Sequence, residues 1–293
     1  MKITIILYMI SLSVYASRSW AQQESAWALS ANPVSISYVP KDSAMEAGLS
    51  YLIHQAALPA SDQPDQTQTY RAYVSGNRKL GLLWLAGGID WSQSLLEGRK
   101  WNLLSQPDYL ITAGDSLGEP QRIEKYRIYG QAAYVLSPKI KVGIDGDYRS
   151  SYHIYHGMAH LIRISGGVVY EQVRRRFGAS IHYTHRTEEL TYDTDSKDKL
   201  YTFPLGYWLP MQELSGSFLF RSQGKRLGVS LQTETLKEHW SLFHDLFYET
   251  QQLADNPNNS GNLRGWEERL HQISYQGRFT RTNKSWTHIW SPT

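Results

Sequence analysis

From Tyr126 the chain alternates. Tyr126, Ile128, Gly130, Ala132, Tyr134 and Leu136 form one series, and Arg127, Tyr129, Gln131, Ala133 and Val135 the other. Residues two apart share one face of a strand, so the run predicts a strand with a greasy side and a polar side. Ser137-Pro138-Lys139 follows, a tight turn, because proline presets φ and cannot continue a central strand. Then Ile140, Val142, Ile144, Gly146 and Tyr148 alternate with Lys141, Gly143, Asp145 and Asp147, which completes a hairpin.

The same pattern recurs along most of the chain. It predicts strands at 47–54, 158–170, 177–184, 214–221, 227–234 and 271–279. Tyr70–Ser75 and Leu80–Ala86 read as a further hairpin around Gly76-Asn77, a strong turn dipeptide. Turns at 137–139, 171–175 and 222–226 are short. The connections 88–124, 188–200 and 236–267 are long and polar. Leu236, Trp240, Phe243 and Phe247 have helical spacing, so 236–253 reads either as a loop helix or as two more strands. Alternating short and long connections, with strands of about ten residues, suit an antiparallel up-and-down transmembrane β-barrel of about 10–12 strands. Tyr126, Tyr148, Tyr170, Tyr183, Trp84 and Trp286 fall near strand ends, where rings would form interfacial girdles.

Composition sharpens this all-β reading. The chain of 293 residues holds 10 Trp, 20 Tyr and 7 Phe, yet its mean hydropathy is −0.47. Helical membrane spans would raise that value, and disordered chains lack aromatics. A barrel whose alternate residues face lipid and a polar interior averages to such a figure. There is no cysteine, which excludes disulfides and thiolate metal sites.

Residues 1–21 have the grammar of a signal peptide: Lys2, an apolar run over Ile3–Val14, and Ser19-Trp20-Ala21 before a cut. Residues 22–293 then form one outer-membrane domain. Export without cysteine points to a Gram-negative envelope rather than a eukaryotic secretory route. The net charge is +3, from 30 basic and 27 acidic residues. Without 1–21 it becomes 28 against 27, or +1. That leaves no footprint for nucleic acid. Expected partners are outer-membrane lipid and small solutes or surface glycans.

Gln106-Pro-Asp-Tyr-Leu-Ile-Thr-Ala-Gly-Asp-Ser-Leu-Gly, Glu124-Lys-Tyr-Arg-Ile-Tyr-Gly and Lys141-Val-Gly-Ile-Asp-Gly-Asp-Tyr-Arg resemble an uncharacterised bacterial outer-membrane β-barrel family, a domain of unknown function. The resemblance spans most of residues 22–293. It implies an outer-membrane barrel and no catalytic residues. Barrels of this kind commonly end on an aromatic strand, whereas this chain ends Trp286-Thr-His-Ile-Trp-Ser-Pro-Thr293, and family members are longer. A C-terminal end that stops short is therefore expected.

No catalytic, cofactor or metal site is expected. His156 and His160 would lie about 13 Å apart on a strand, too far for one ion. Asp193, Asp195 and Asp198 with Glu188-Glu189 read as an acidic loop without the glycine and glutamate of a calcium loop. Ser180 and His182 share a face, a pairing that arises by chance in a polar wall. The expected role is a passive pore or transport accessory, with Arg127, Gln131, Lys141, Asp145, Arg163, His182, Arg221 and Glu234 facing the lumen. Mixed signs there argue against strong ion selectivity. A surface binding protein using the long connections, or a soluble secreted β-protein, are the alternatives.

Overall fold

The structure is a computed structural model that describes residues 27, 30–39, 42–55, 64–98, 111–114, 120–153, 157–194, 199–202, 209–213, 216–258, 266–283 and 286–290. The leader predicted over 1–21 lies outside the described residues. A 3-10 helix, Pro33–Tyr38, precedes every strand. The strands are β1 (Ser43–Gln55), β2 (Gln66–Leu80), β3 (Leu83–Glu97), β4 (Ile111–Gly114), β5 (Gln121–Ser137), β6 (Ile140–His153), β7 (Gly157–Glu171), β8 (Arg175–Thr194), β9 (Lys199–Thr202), β10 (Leu209–Glu213), β11 (Gly216–Lys237), β12 (Trp240–Asn258), β13 (Trp266–Asn283) and β14 (Trp286–Trp290).

Eleven strands form one sheet in the order β1-β2-β3-β5-β6-β7-β8-β11-β12-β13-β14, and β10-β9-β4 form a second, small one. Every neighbouring pair is antiparallel. The fold is thus all-β and up-and-down. Among the described residues β1 and β14 do not pair with each other.

Among the described residues four tight turns fall at one end of this meander, and the three-residue connection 154–156 joins β6 to β7 at the other. The four are Gly81-Leu82, Pro138-Lys139, 172–174 and Glu238-His239. Gly81 has φ +61°, the left-handed conformation that the turn demands. The longer connections 56–65, 98–120, 195–215 and 259–265 fall at the other end, and 98–120 and 195–215 contribute the strands of the small sheet.

Several turn assignments move. Gly76 and Asn77 sit inside β2, paired with Gly87 and Ala86. Gln223-Gly224-Lys225 continues β11, flanked on both sides by full ladders. The stretch 236–253 is strand rather than helix, the end of β11 followed by β12. Glu188, Glu189 and Asp193 belong to β8 rather than to a loop. Ladder hydrogen bonds on both edges outweigh local turn propensity in each case.

Side chains sort by parity. Ile128, Ile144, Ile164, Ile181 and Leu231 lie on the outward face and are 50–58% exposed. The opposite face carries Asp147, Ser165, Ser180, Gln232 and Glu234, all buried. The apolar core is small and lies on this inner face, against the N-terminal segment. Trp27 and Val34 pack with Val169 of β7 and Phe243 of β12, and Ile36 packs with Trp84 of β3. A flat sheet would separate β3 from β12 by about 29 Å at ~4.8 Å per strand. One short segment touches both, so the sheet curls around it.

Candidate functional site

The inner face has two parts, and sequence register builds both. At the short-turn end, Trp84, Ala133, Gly143, Gly167, Ser180 and Ser230 are successive cross-strand partners. After the tryptophan this row is small, so backbone can approach it. The 3-10 helix lies there. A Cβ at Gly143 would stand 2.7 Å from the Pro33 carbonyl carbon and the Val34 nitrogen. A Cβ at Gly167 would meet the Asn32 side chain, and one at Gly178 the Trp27 ring.

Polar groups then fix the segment. Asn32 caps the helix by accepting from the Val34 N–H at 3.0 Å. Its amide donates to Gln232 Oε1 at 2.8 Å and to the Ala179 carbonyl at 3.2 Å. Gln131 Nε2 donates to the Pro33 carbonyl at 2.7 Å and to Ser35 Oγ at 3.0 Å. Tyr38 closes the segment. Its hydroxyl donates to Glu171 at 2.7 Å, while Lys141 and Arg176 lie 4.2 and 4.8 Å from its ring centre. Burial, and then the Glu171 carboxylate, push the Tyr38 phenol well above its ordinary range. Arg176 also reaches Glu234 at 2.8 Å.

Beyond this seat the inner face turns basic. Asp90, Arg127, Arg149, Leu161 and Arg186 are successive partners in one row, with Asp147, Arg163 and Arg226 in the next. Arg127 and Arg149 share one carboxylate. Each sends Nη2 to Asp147 Oδ2 at 2.8 Å. Arg71 pairs with Asp90. Ser165 donates to Asp145 at 3.1 Å, and Arg163 stands 3.7 Å from it.

Seven of the eight residues expected to face a lumen lie on this face: Arg127, Gln131, Lys141, Asp145, Arg163, His182 and Glu234. Three of them, Gln131, Lys141 and Glu234, make or brace the seat of the N-terminal segment. Arg221 lies on the outward face with Leu227 and Val229, and pairs with Glu189 at 2.6 Å. The expected turn at 222–226 does not form, so parity runs unbroken from Leu231 back to Arg221. Ser180 Oγ lies 2.9 Å from His182 Nε2, but Ser180 is 4% exposed. His160 bonds Tyr148 at 2.8 Å on the outward side. Among the described residues no group of three or more His, Asp or Glu could hold a metal ion.

Sequence reasoning missed Trp27, Asn32 and Tyr38, which lie in a stretch without alternation. It also passed over Arg71, Asp90 and Arg149. The alternating series that gave Arg127 and Asp145 extends to Arg149, where its only signal was parity.

Residues 33–154 match a family of unknown function (DUF6850), which is narrower than the span of the resemblance noted above. No curated protein matches the chain in sequence. Among solved structures, the chain is similar to the ferric-catecholate import receptor Fiu of E. coli K12, with 6% identity and a TM-score of 0.48 over 83% of this chain and 48% of that one. It is similar to the siderophore receptor PiuA of Acinetobacter baumannii, with 11% identity and a TM-score of 0.47 over 82% of this chain and 43% of that one. The ferric enterobactin receptor PfeA of Pseudomonas aeruginosa gives 11% and 0.47 over 85% and 40%. The chain thus spans about half or less of the length of each.

Proposed function

We propose that the chain is a transmembrane β-barrel protein of a bacterial outer membrane and serves solute transport there, with the short-turn end closed by the segment 27–39. The observation that carries this reading is the inverted distribution of side chains. Large apolar residues cover the outward face strand after strand, while charge lies inside. Each such side chain left in water forgoes about 1.5–3 kcal/mol, and patches of this extent on soluble monomers are rare. On β5 the outward run Tyr126–Leu136 covers eleven residues. At ~3.4 Å each and a ~45° tilt it spans about 25 Å, the height of a barrel's apolar band. The long connections 98–120 and 195–215, both at one end, suit the extracellular side.

The seat changes the passive-pore expectation. A segment held by Asn32, Gln131 and Tyr38 supports a transport accessory that opens, rather than a permanently open channel. Two measurements test the reading. Outer-membrane fractionation with heat-modifiable gel mobility reports the barrel. Planar-bilayer conductance of the full chain and of a variant with a weakened seat, Trp27→Ala, reports passage. The expected result is low current from the parent and higher current from the variant. Silence from both at every voltage removes the passage role.

A second reading, binding of surface glycans by the long connections, draws support from the small sheet that those connections build. Glycan binding that survives loss of 98–120 and 195–215 would overturn it.

A further inference from the structure

We infer that the basic half of the inner face holds a binding site for a small oxyanion-bearing ligand, a carboxylate or phosphate compound, walled by β2, β3, β5, β6 and β7. A cavity of about 330 Å³ opens there, the size of a small-ligand pocket. Arg71, Lys125, Arg127 and Arg149 line it, with Asp90 as the carboxylate of the lining. Asp147 is 2% exposed beside Arg127 and Arg149. Among the described residues three arginines, Arg71, Arg127 and Arg149, therefore share two carboxylates.

Register makes this surplus expensive to keep. Arg127 and Arg149 are direct cross-strand partners, and like charges opposite one another destabilise a sheet. One carboxylate serves both forks: Arg127 Nε reaches Asp147 at 3.0 Å and Arg149 Nε at 3.3 Å. The two arginine side chains remain 38% and 51% exposed, so part of each fork faces the cavity. A wall built only to be stable would match its charges one for one. Planar guanidinium forks in excess suit carboxylate or phosphate oxygens.

Ser151 points the same way independently. It lines the cavity and is the cross-strand partner of Lys125. Its hydroxyl is buried and has no hydrogen-bond partner among the described residues. An unsatisfied hydroxyl beside surplus guanidinium groups is a donor placed for a ligand oxygen.

This site deepens the transport reading and rests on the same inner wall, but it does not require conduction. The test is calorimetric titration of the full chain in non-ionic detergent with inorganic phosphate, with succinate, and with glucose as the neutral control. Saturable binding of either anion at one site per chain, weakened about tenfold by raised salt, is expected, with no heat from glucose. Phosphate alone, succinate alone or both support the site and define its preferred oxyanion. In R127Q/R149Q the affinity falls at least about tenfold.

S151A separates ligand binding from structure, because it removes a hydroxyl that the protein itself does not use. It is expected to weaken the anion about three- to tenfold while leaving the melting temperature unchanged or raised. Neither anion giving saturable heat, or both variants binding as tightly as the parent, would overturn the site. Calorimetric silence in a chain that still shows heat-modifiable mobility sinks the site alone. Binding without heat-modifiable mobility sinks the barrel alone.

Discussion

The two halves of the inner face are made from the same strands and follow opposite rules. Near the tight turns, glycines and serines clear a floor, a segment of the chain fills it, and the Asn32 amide, Gln131 and Glu171 all find partners. Toward the long connections the wall carries half-exposed arginines in excess over carboxylates. The first half is organised by steric fit and burial, the second by arginines that share carboxylates. A sheet can therefore hold a sealed region and a receptive region on one surface, divided only by which row of residues is small.

The sharpest break in this contrast is Trp27→Ala. Trp27 is wholly buried, with its ring 5.5 Å from Phe243 and 5.8 Å from Tyr38. Its loss is expected to cost about 3–5 kcal/mol, read as earlier thermal unfolding and as protease cleavage within 27–39. Asn32→Ala comes next, at about 1–3 kcal/mol, because Gln232 Oε1 loses its donor in a buried site.

Glycine substitutions compare the halves directly. Gly178→Ala drives a methyl into the Trp27 ring and is expected to cost about 1–3 kcal/mol, with partial release of the segment. Gly224→Ala, in the basic half, meets Arg186 Nε at 3.3 Å, a contact relieved by a shift of a few tenths of an ångström. Its effect should stay below about 1 kcal/mol in the same melting assay. Equal effects at the two glycines would dissolve the distinction.

Tyr38→Phe is expected to cost about 0.5–1.5 kcal/mol from the lost donation to Glu171. It also has a pH signature. The folded phenol titrates above its unfolded value of 10.0, so its contribution is complete below pH 10 and is lost as the pH rises beyond that. Alkaline melting should therefore destabilise the parent faster than Tyr38→Phe. Parallel curves would show that the phenol is not held neutral by its seat.

How much of this was legible depended on period. Parity alone placed Ile144 and Ile181 outward and Asp145 and His182 inward, because a period of two leaves one choice per strand. Arg221 failed when Gln223-Gly224-Lys225 imitated a turn and reset that parity. Gly76-Asn77 misled in the same way, since the chirality of the bend is supplied at Gly81 instead. On β12 both faces carry large apolar residues, Phe243 inside and Leu246 outside, which hid the alternation behind a helical spacing. The seat was illegible for a deeper reason. Trp27, Asn32 and Tyr38 gain their roles from residues more than a hundred positions away, and no local pattern encodes that.

That separation in sequence also sets an order in time. The hairpins of the sheet are local pairings, which form early and without long-range loop closure. Asn32 meets Gln232 across 200 positions, and Trp27 meets Phe243 on β12. The segment synthesised before every strand can therefore reach its final place only after almost the whole sheet has assembled. Burial of Trp27 becomes a clock for the end of folding, and its fluorescence should change last.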